Sequence, residues 1–148
     1  MSTNHYNEPR YVGYSKEVMK YYQTDHVDSW TDSKSTSIFA GKMQKDLFIF
    51  AMAVGKYYEK KATEVKNKQN NVSVQAMKDN QKWAVLSIGI EEKGDLFCLK
   101  DETPIYSEAE KYAHEGIKII KSNIDEHSIN YPLKLEEILR NILEAKHQ

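Results

Sequence analysis

The sequence predicts an all-α, or nearly all-α, domain of about five helices around one core. Three observations carry that expectation. Apolar residues recur at helical spacing in separated stretches, of which Leu47 to Tyr58, Ala109 to Ile120 and Leu135 to Leu143 are the clearest. Polar segments rich in serine or asparagine divide these stretches. A chain of 148 residues with one cysteine must be held by a hydrophobic core rather than by disulfides.

Residues 1–14, with Asn4, Asn7, Pro9 and Gly13 among aromatic and charged neighbours, show no sustained period. They are expected to form a flexible tail, or an arm laid over the domain and anchored by Tyr6, Tyr11 and Tyr14. A single helical domain then spans 15–148. Ser15 suits the N-cap of a first helix over 16–30, with Met19, Tyr22, Val27 and Trp30 near one face. The polar run Thr31 to Ser37 ends it.

The strongest helical pattern covers 44–61. Leu47, Phe48, Phe50, Ala51, Val54, Tyr57 and Tyr58 repeat at helical intervals, while Ile49, Met52 and Ala53 fill the other sides. A helix apolar nearly all round belongs in the middle of the core, and Gly55 within it allows another element to come close. Thr63 to Val74 reads as an exposed connection. The next helix, 78–93, turns Trp83, Leu86 and Ile90 inward and Lys82, Glu92 and Lys93 outward, with Gly94 placed to end it. Residues 95–99 form a short apolar turn or a minor strand, in which Cys98 is a small buried hydrophobe.

Ser107 and Glu110 have the spacing of a capping box for a helix running to about Ile124, buried through Ala109, Tyr112, Ala113, Ile117 and Ile120. Gly116 again permits close contact. Pro132 opens a last helix whose stripe of Leu135, Ile138, Leu139, Ile142 and Leu143 packs on its own domain or forms a homodimer or partner interface.

Twenty-one basic against 22 acidic side chains argue against a protein whose main affinity is for phosphate backbone. The distribution is uneven. Seven lysines from Lys42 to Lys68 face three acids, whereas eight acids from Glu91 to Glu115 face three lysines. No apolar N-terminal stretch resembles a signal peptide, and the longest apolar run, Leu47 to Val54, is far short of a bilayer span. A cytoplasmic location is expected.

Signatures of catalysis are missing. No nucleophile elbow, phosphate-cradling glycine loop or histidine pair at metal-ligand spacing occurs, so no catalytic, cofactor-binding or metal-ligating residue is assigned. Glu91, Glu92 and Asp95, or Asp101 and Glu102, could serve a divalent ion or an acid–base pair, but adjacent acids on a helix point apart and read as solvated surface. His114, a conceivable base, reads as a structural histidine. The best candidate surface is the lysine-rich segment of Lys56, Tyr57, Lys60, Lys61, Lys66 and Lys68, which interleaves cations with an aromatic ring as single-stranded nucleic-acid sites do.

The run Lys45-Asp46-Leu47-Phe48-Ile49-Phe50-Ala51-Met52-Ala53-Val54-Gly55-Lys56, then Trp83 to Ile90, Gly94-Asp95-Leu96, Glu108 and Tyr112-Ala113-His114-Glu115-Gly116-Ile117, resembles the small accessory proteins of Dnd DNA phosphorothioation systems. The likeness covers about residues 38–124; His114-Glu115 stands where that pattern has smaller residues. It implies a non-enzymatic partner of larger proteins in a DNA-modification or anti-phage defence assembly, and it transfers no catalytic residue. The rival readings are a weak, sequence-nonspecific DNA-binding protein using the lysine segment, whose affinity would fall steeply with salt, and a small metal-dependent enzyme using Asp95 or Asp101.

Overall fold

In the computed structural model of this chain, residues 8–127 are described, together with 136, 137, 139–141 and 144. Strand β1 (Tyr11–Ser15) leads through a 3-10 turn into the single-turn helix α1 (Met19–Tyr22). Helix α2 (Gln44–Tyr57), strand β2 (Lys68–Ser73), helix α3 (Asp79–Lys93), a 3-10 turn (Leu96–Lys100) and the long helix α4 (Thr103–His127) follow. The chain is mostly helical, as its apolar spacing predicts, with a minor antiparallel β element.

Two glycines set the central contact. A Cβ on Gly55 of α2 would collide with the Tyr112 carbonyl, and one on Gly116 of α4 would collide with the Ala51 carbonyl. The two helices therefore run antiparallel with their backbones nearly touching, and Leu47, Phe48, Ala51, Ala109, Ala113, Ile117 and Ile120 are buried around that seam. Helix α2 is not enclosed on all sides: Ile49 and Phe50 are only half-buried and Ala53 is exposed.

The N-terminal ends of α2 and α3 are wired to each other. Asp46 accepts the Met43 N–H (3.0 Å) and Gln81 accepts the Lys78 N–H (2.9 Å), so each satisfies a donor orphaned at its own helix start. Gln81 Nε2 also donates to Asp46 (2.9 Å), and buried Lys45 reaches both side chains at 3.2 and 3.1 Å. At the other ends, Lys56 lies 3.4 Å from Glu91. The two helices thus lie side by side in the same direction.

Several expectations are corrected. The first helix stops at Tyr22, where Gln23 turns extended, rather than continuing to 30. Its continuation is polar, and short side chains there satisfy backbone groups that a helix would use: Ser29 Oγ accepts from Thr31 and Asp32, and Thr31 Oγ1 donates to the Tyr22 carbonyl. The connection 63–74 contains β2, whose Val72, like Val74 after it, is buried. Its partner is β1, where Val12 and Tyr14 are buried and Tyr14 stacks on Tyr22 at 4.0 Å. Tyr11 is exposed, and Tyr6 falls outside the described residues. The register slips between Val12 and Tyr14, where Gly13 of β1 stands opposite both Asn70 and Asn71, a bulge in β2.

Of the two expectations for 95–99, the turn holds and the strand does not: Leu96–Lys100 form the 3-10 turn, with Asp95 as its cap. Leu96 and Phe97 are 66% and 72% exposed there, and Cys98 is half-buried. Helix α3 is rotated relative to expectation: Trp83 is 60% exposed while Lys82 is buried against Glu8 at 3.1 Å. Helix α4 starts at Thr103, whose N–H is accepted by Asp101, so Ser107 and Glu110 sit inside it rather than at its cap. Of the expected C-terminal interface, Leu135, Ile138 and Ile142 lie outside the described residues; Leu139 is helical and 44% exposed.

Candidate functional site

The lysine segment runs from the end of α2 across the following loop into β2, along the flank of α4. Its charges meet carboxylates. Lys56 is 3.4 Å from Glu91 and 3.9 Å from Glu92, and its ammonium lies 5.4 Å from the centre of the Tyr112 ring. Lys61 contacts Glu108 at 2.8 Å and faces the same ring at 5.6 Å. Lys68 reaches buried Glu110 at 3.2 Å. Lys66 stands 3.7 Å from Glu64, both well exposed, and Lys60 is exposed. Tyr57 and Tyr58 pack edge to face, with 37% and 40% of each exposed.

The electrostatics follow from this pairing. Burial pushes the Glu108 carboxyl up, but hydrogen bonds from Lys61 and Lys111 outweigh that and hold it below the usual carboxylate range. Lys61 is correspondingly raised, first by its hydrogen bond to Glu108. Tyr112 donates to Glu92, and burial together with that acid keeps the phenol protonated.

Lys61 and Lys66 also form one wall of a polar cleft of about 520 Å³, which Ser15 and α4 residues His114, Glu115 and Lys118 complete. His114 is 8% exposed and its Nδ1 is enclosed without a hydrogen-bond partner; Ser15 is 3% exposed and its Oγ is in the same state. Burial, then the nearby Lys118 charge, hold the imidazole below the ordinary histidine pKa, outweighing Glu115 and Glu17. Ser15, read from sequence as a cap, makes no capping bond. Nothing in the local sequence joins Ser15 to His114 or Lys118, because three distant segments assemble the cleft.

The acidic pairs are occupied otherwise. Glu91 and Glu92 face Lys56, Asp95 accepts the Phe97 N–H (2.8 Å), and Asp101 accepts the Thr103 N–H (3.1 Å).

A family model, DNA sulphur modification system-associated protein 4, matches residues 23–148. The chain belongs to that family. The matched span is wider than the 38–124 stretch that carries the resemblance. It takes in the amphipathic C-terminal segment and leaves β1 outside. No curated protein and no solved structure matches the chain. Association with a DNA sulphur modification system is thus the coarse function of the family, and among the described residues no helix is long and apolar enough to cross a membrane.

Proposed function

We propose that this family member is a non-enzymatic adaptor, acting in the cytoplasm through protein–protein contacts with a larger component of its DNA sulphur modification system, in bacterial or archaeal defence. The observation that carries this reading is the pair Leu96 and Phe97, two large apolar side chains side by side on a turn and 66% and 72% exposed. Trp83, 60% exposed on α3, adds a second aromatic anchor of the kind that dominates interface energetics. Exposed apolar groups of this size are retained where a partner covers them. The C-terminal stripe of Leu135, Ile138, Leu139 and Ile142 is proposed as a further contact.

The test is affinity capture of the tagged protein from its own cells at low and high salt with nuclease treatment. A stoichiometric partner that survives both treatments, and is lost from the Leu96→Ser/Phe97→Ser variant, is the expected result. Recovery of nucleic acid alone, lost at high salt, would sink the adaptor reading.

The second reading is weak, nonspecific DNA binding by Lys56, Tyr57, Lys60, Lys61, Lys66 and Lys68. Exposed Lys60 and Lys66 beside Tyr57 favour it. The carboxylates beside Lys56, Lys61 and Lys68 weigh against it, because each must be given up or repelled when a phosphate arrives. Its signature would be a slope of log affinity against log salt concentration of about −0.9 for each lysine engaged.

A further inference from the structure

Helix α2 carries apolar residues on nearly every side, and a helix of that composition belongs where it is covered all round. One side is left open. Ile49, Ala53 and Tyr57 follow one another at four-residue spacing, with Ile49 half-buried, Ala53 exposed and Tyr57 37% exposed. Half-buried Ala84 of α3, one turn beyond the Gln81 that holds Asp46, borders the same strip. The small side chains at 53 and 84 let a further helix come close.

A surface of matching shape and length lies near the other end of the chain. Leu135, Ile138, Leu139, Ile142 and Leu143 share one side at helical spacing. Leu139, the member of that stripe among the described residues, is helical and 44% exposed, and residues 136, 137, 140, 141 and 144 around it are helical and exposed as well. Leu135 to Leu143 and Ile49 to Tyr57 are both eight residues apart, about 12 Å of helix.

We propose that the C-terminal stripe of one copy of this chain seats on the α2–α3 strip of a second copy, the two copies exchanging these segments reciprocally in a dimer. Within a single chain Leu139 and Ala53 both stand open, and a two-fold axis closes both seats at once. The course of the chain agrees. Gly116 lies against Ala51 in antiparallel helices, so α4 runs past the Gln44 end of α2 before it ends at His127. Residues 128–133 then separate it from the stripe, enough chain to bridge about 20 Å to a neighbouring copy. Aliphatic side chains on an alanine-centred strip make the apolar kind of contact found in permanent dimers. The seat uses neither Leu96 nor Phe97, which stay free for a different partner.

The test is the mass of the full chain in solution, by light scattering over a concentration series. A dimer is expected. Leu139→Glu and Ala53→Glu change exposed positions, so each variant should keep the parent's circular dichroism while becoming a monomer. Mixed together they should associate one to one, more weakly than the parent, because the pair retains one intact stripe and one intact strip. A parent that is monomeric at about 100 μM, a variant that stays dimeric, or a mixture that fails to associate at that concentration overturns the proposal. So does a disulfide formed within one chain between Ala53→Cys and Leu139→Cys in a Cys98→Ser background, which would assign the strip to the chain's own C-terminal segment. Capture of a partner through Leu96 and Phe97 is read separately, so failure here leaves the adaptor reading standing.

Discussion

Glu110 of α4 accepts the backbone N–H of Gly13 at 2.6 Å, which fastens the β-ribbon to the helical core at the position where the ladder slips. The carboxylate satisfies the Gly13 N–H where one residue of β1 faces two of β2. Lys68 of β2 reaches the other oxygen, so a single side chain holds both strands. Glu110→Ala is expected to cost about 1–3 kcal/mol, the range for a buried donor left unpaired, measured by urea denaturation.

The pH behaviour of that contact has a definite sign. Burial raises the Glu110 carboxyl above the usual carboxylate range, although Gly13 and Lys68 pull it down. The unfolded chain therefore ionises first as pH rises, and ionised Glu110 weighs against the fold once pH passes through its raised pKa. Glu110→Gln, which keeps an acceptor for Gly13, should gain stability relative to the parent as pH rises from the ordinary carboxylate range, about pH 4, through the raised folded pKa. A difference that is flat over that interval would refute the assignment.

His114 gives the complementary case. Its pKa is depressed by burial and by Lys118, so the unfolded chain binds the proton more tightly. Stability contributed by the neutral ring is present above about pH 6.5 and is lost as pH falls through the folded pKa. NMR titration should place His114 below an unperturbed histidine, and Lys118→Gln should move it back up.

The glycine seam is unforgiving. Gly116→Ala and Gly55→Ala each push a methyl group into a facing backbone carbonyl, which neither helix can vacate without opening the core. Each should destabilise by about 2–4 kcal/mol, as overpacking of a closed interior does. Gly94→Ala, at φ 76° with open space around it, should cost only about 1 kcal/mol by chemical denaturation.

The two tryptophans should report opposite environments. Trp30 is 7% exposed and stacked on Tyr21, whereas Trp83 is 60% exposed. Iodide should quench most of the Trp83 emission and little of that from Trp30. Trp83→Ala should change stability by no more than about 0.5 kcal/mol, because it removes no buried contact of consequence.

Where the apolar pattern is one-sided, the sequence was readable. The buried face of α4 and both seam glycines are legible, since Ala109, Ala113, Ile117 and Ile120 leave a single orientation. Helix α3 carries apolar residues at 83, 84, 85, 86, 88 and 90, on nearly every side, so its rotation depends on Glu8 capturing Lys82 from 74 residues away. The β-ribbon was hidden for a related reason: β1 is too short to show a period, β2 is polar apart from Val72, and it is in the paired ribbon that Val12 and Val72 are buried. Of the candidate site, the lysines were visible as charges, but the carboxylates that neutralise Lys56, Lys61 and Lys68 come from α3 and α4. Ser15 joins the cleft only through the tertiary fold.

The shared wiring of Lys45, Asp46 and Gln81 makes the beginnings of α2 and α3 a single thermodynamic unit. Fraying of either first turn releases the group that ties off the other, so the two cannot loosen independently. Their amides should exchange with deuterium at matched rates, and Gln81→Ala should speed exchange in the first turn of α2, 35 residues upstream, as much as in α3 itself.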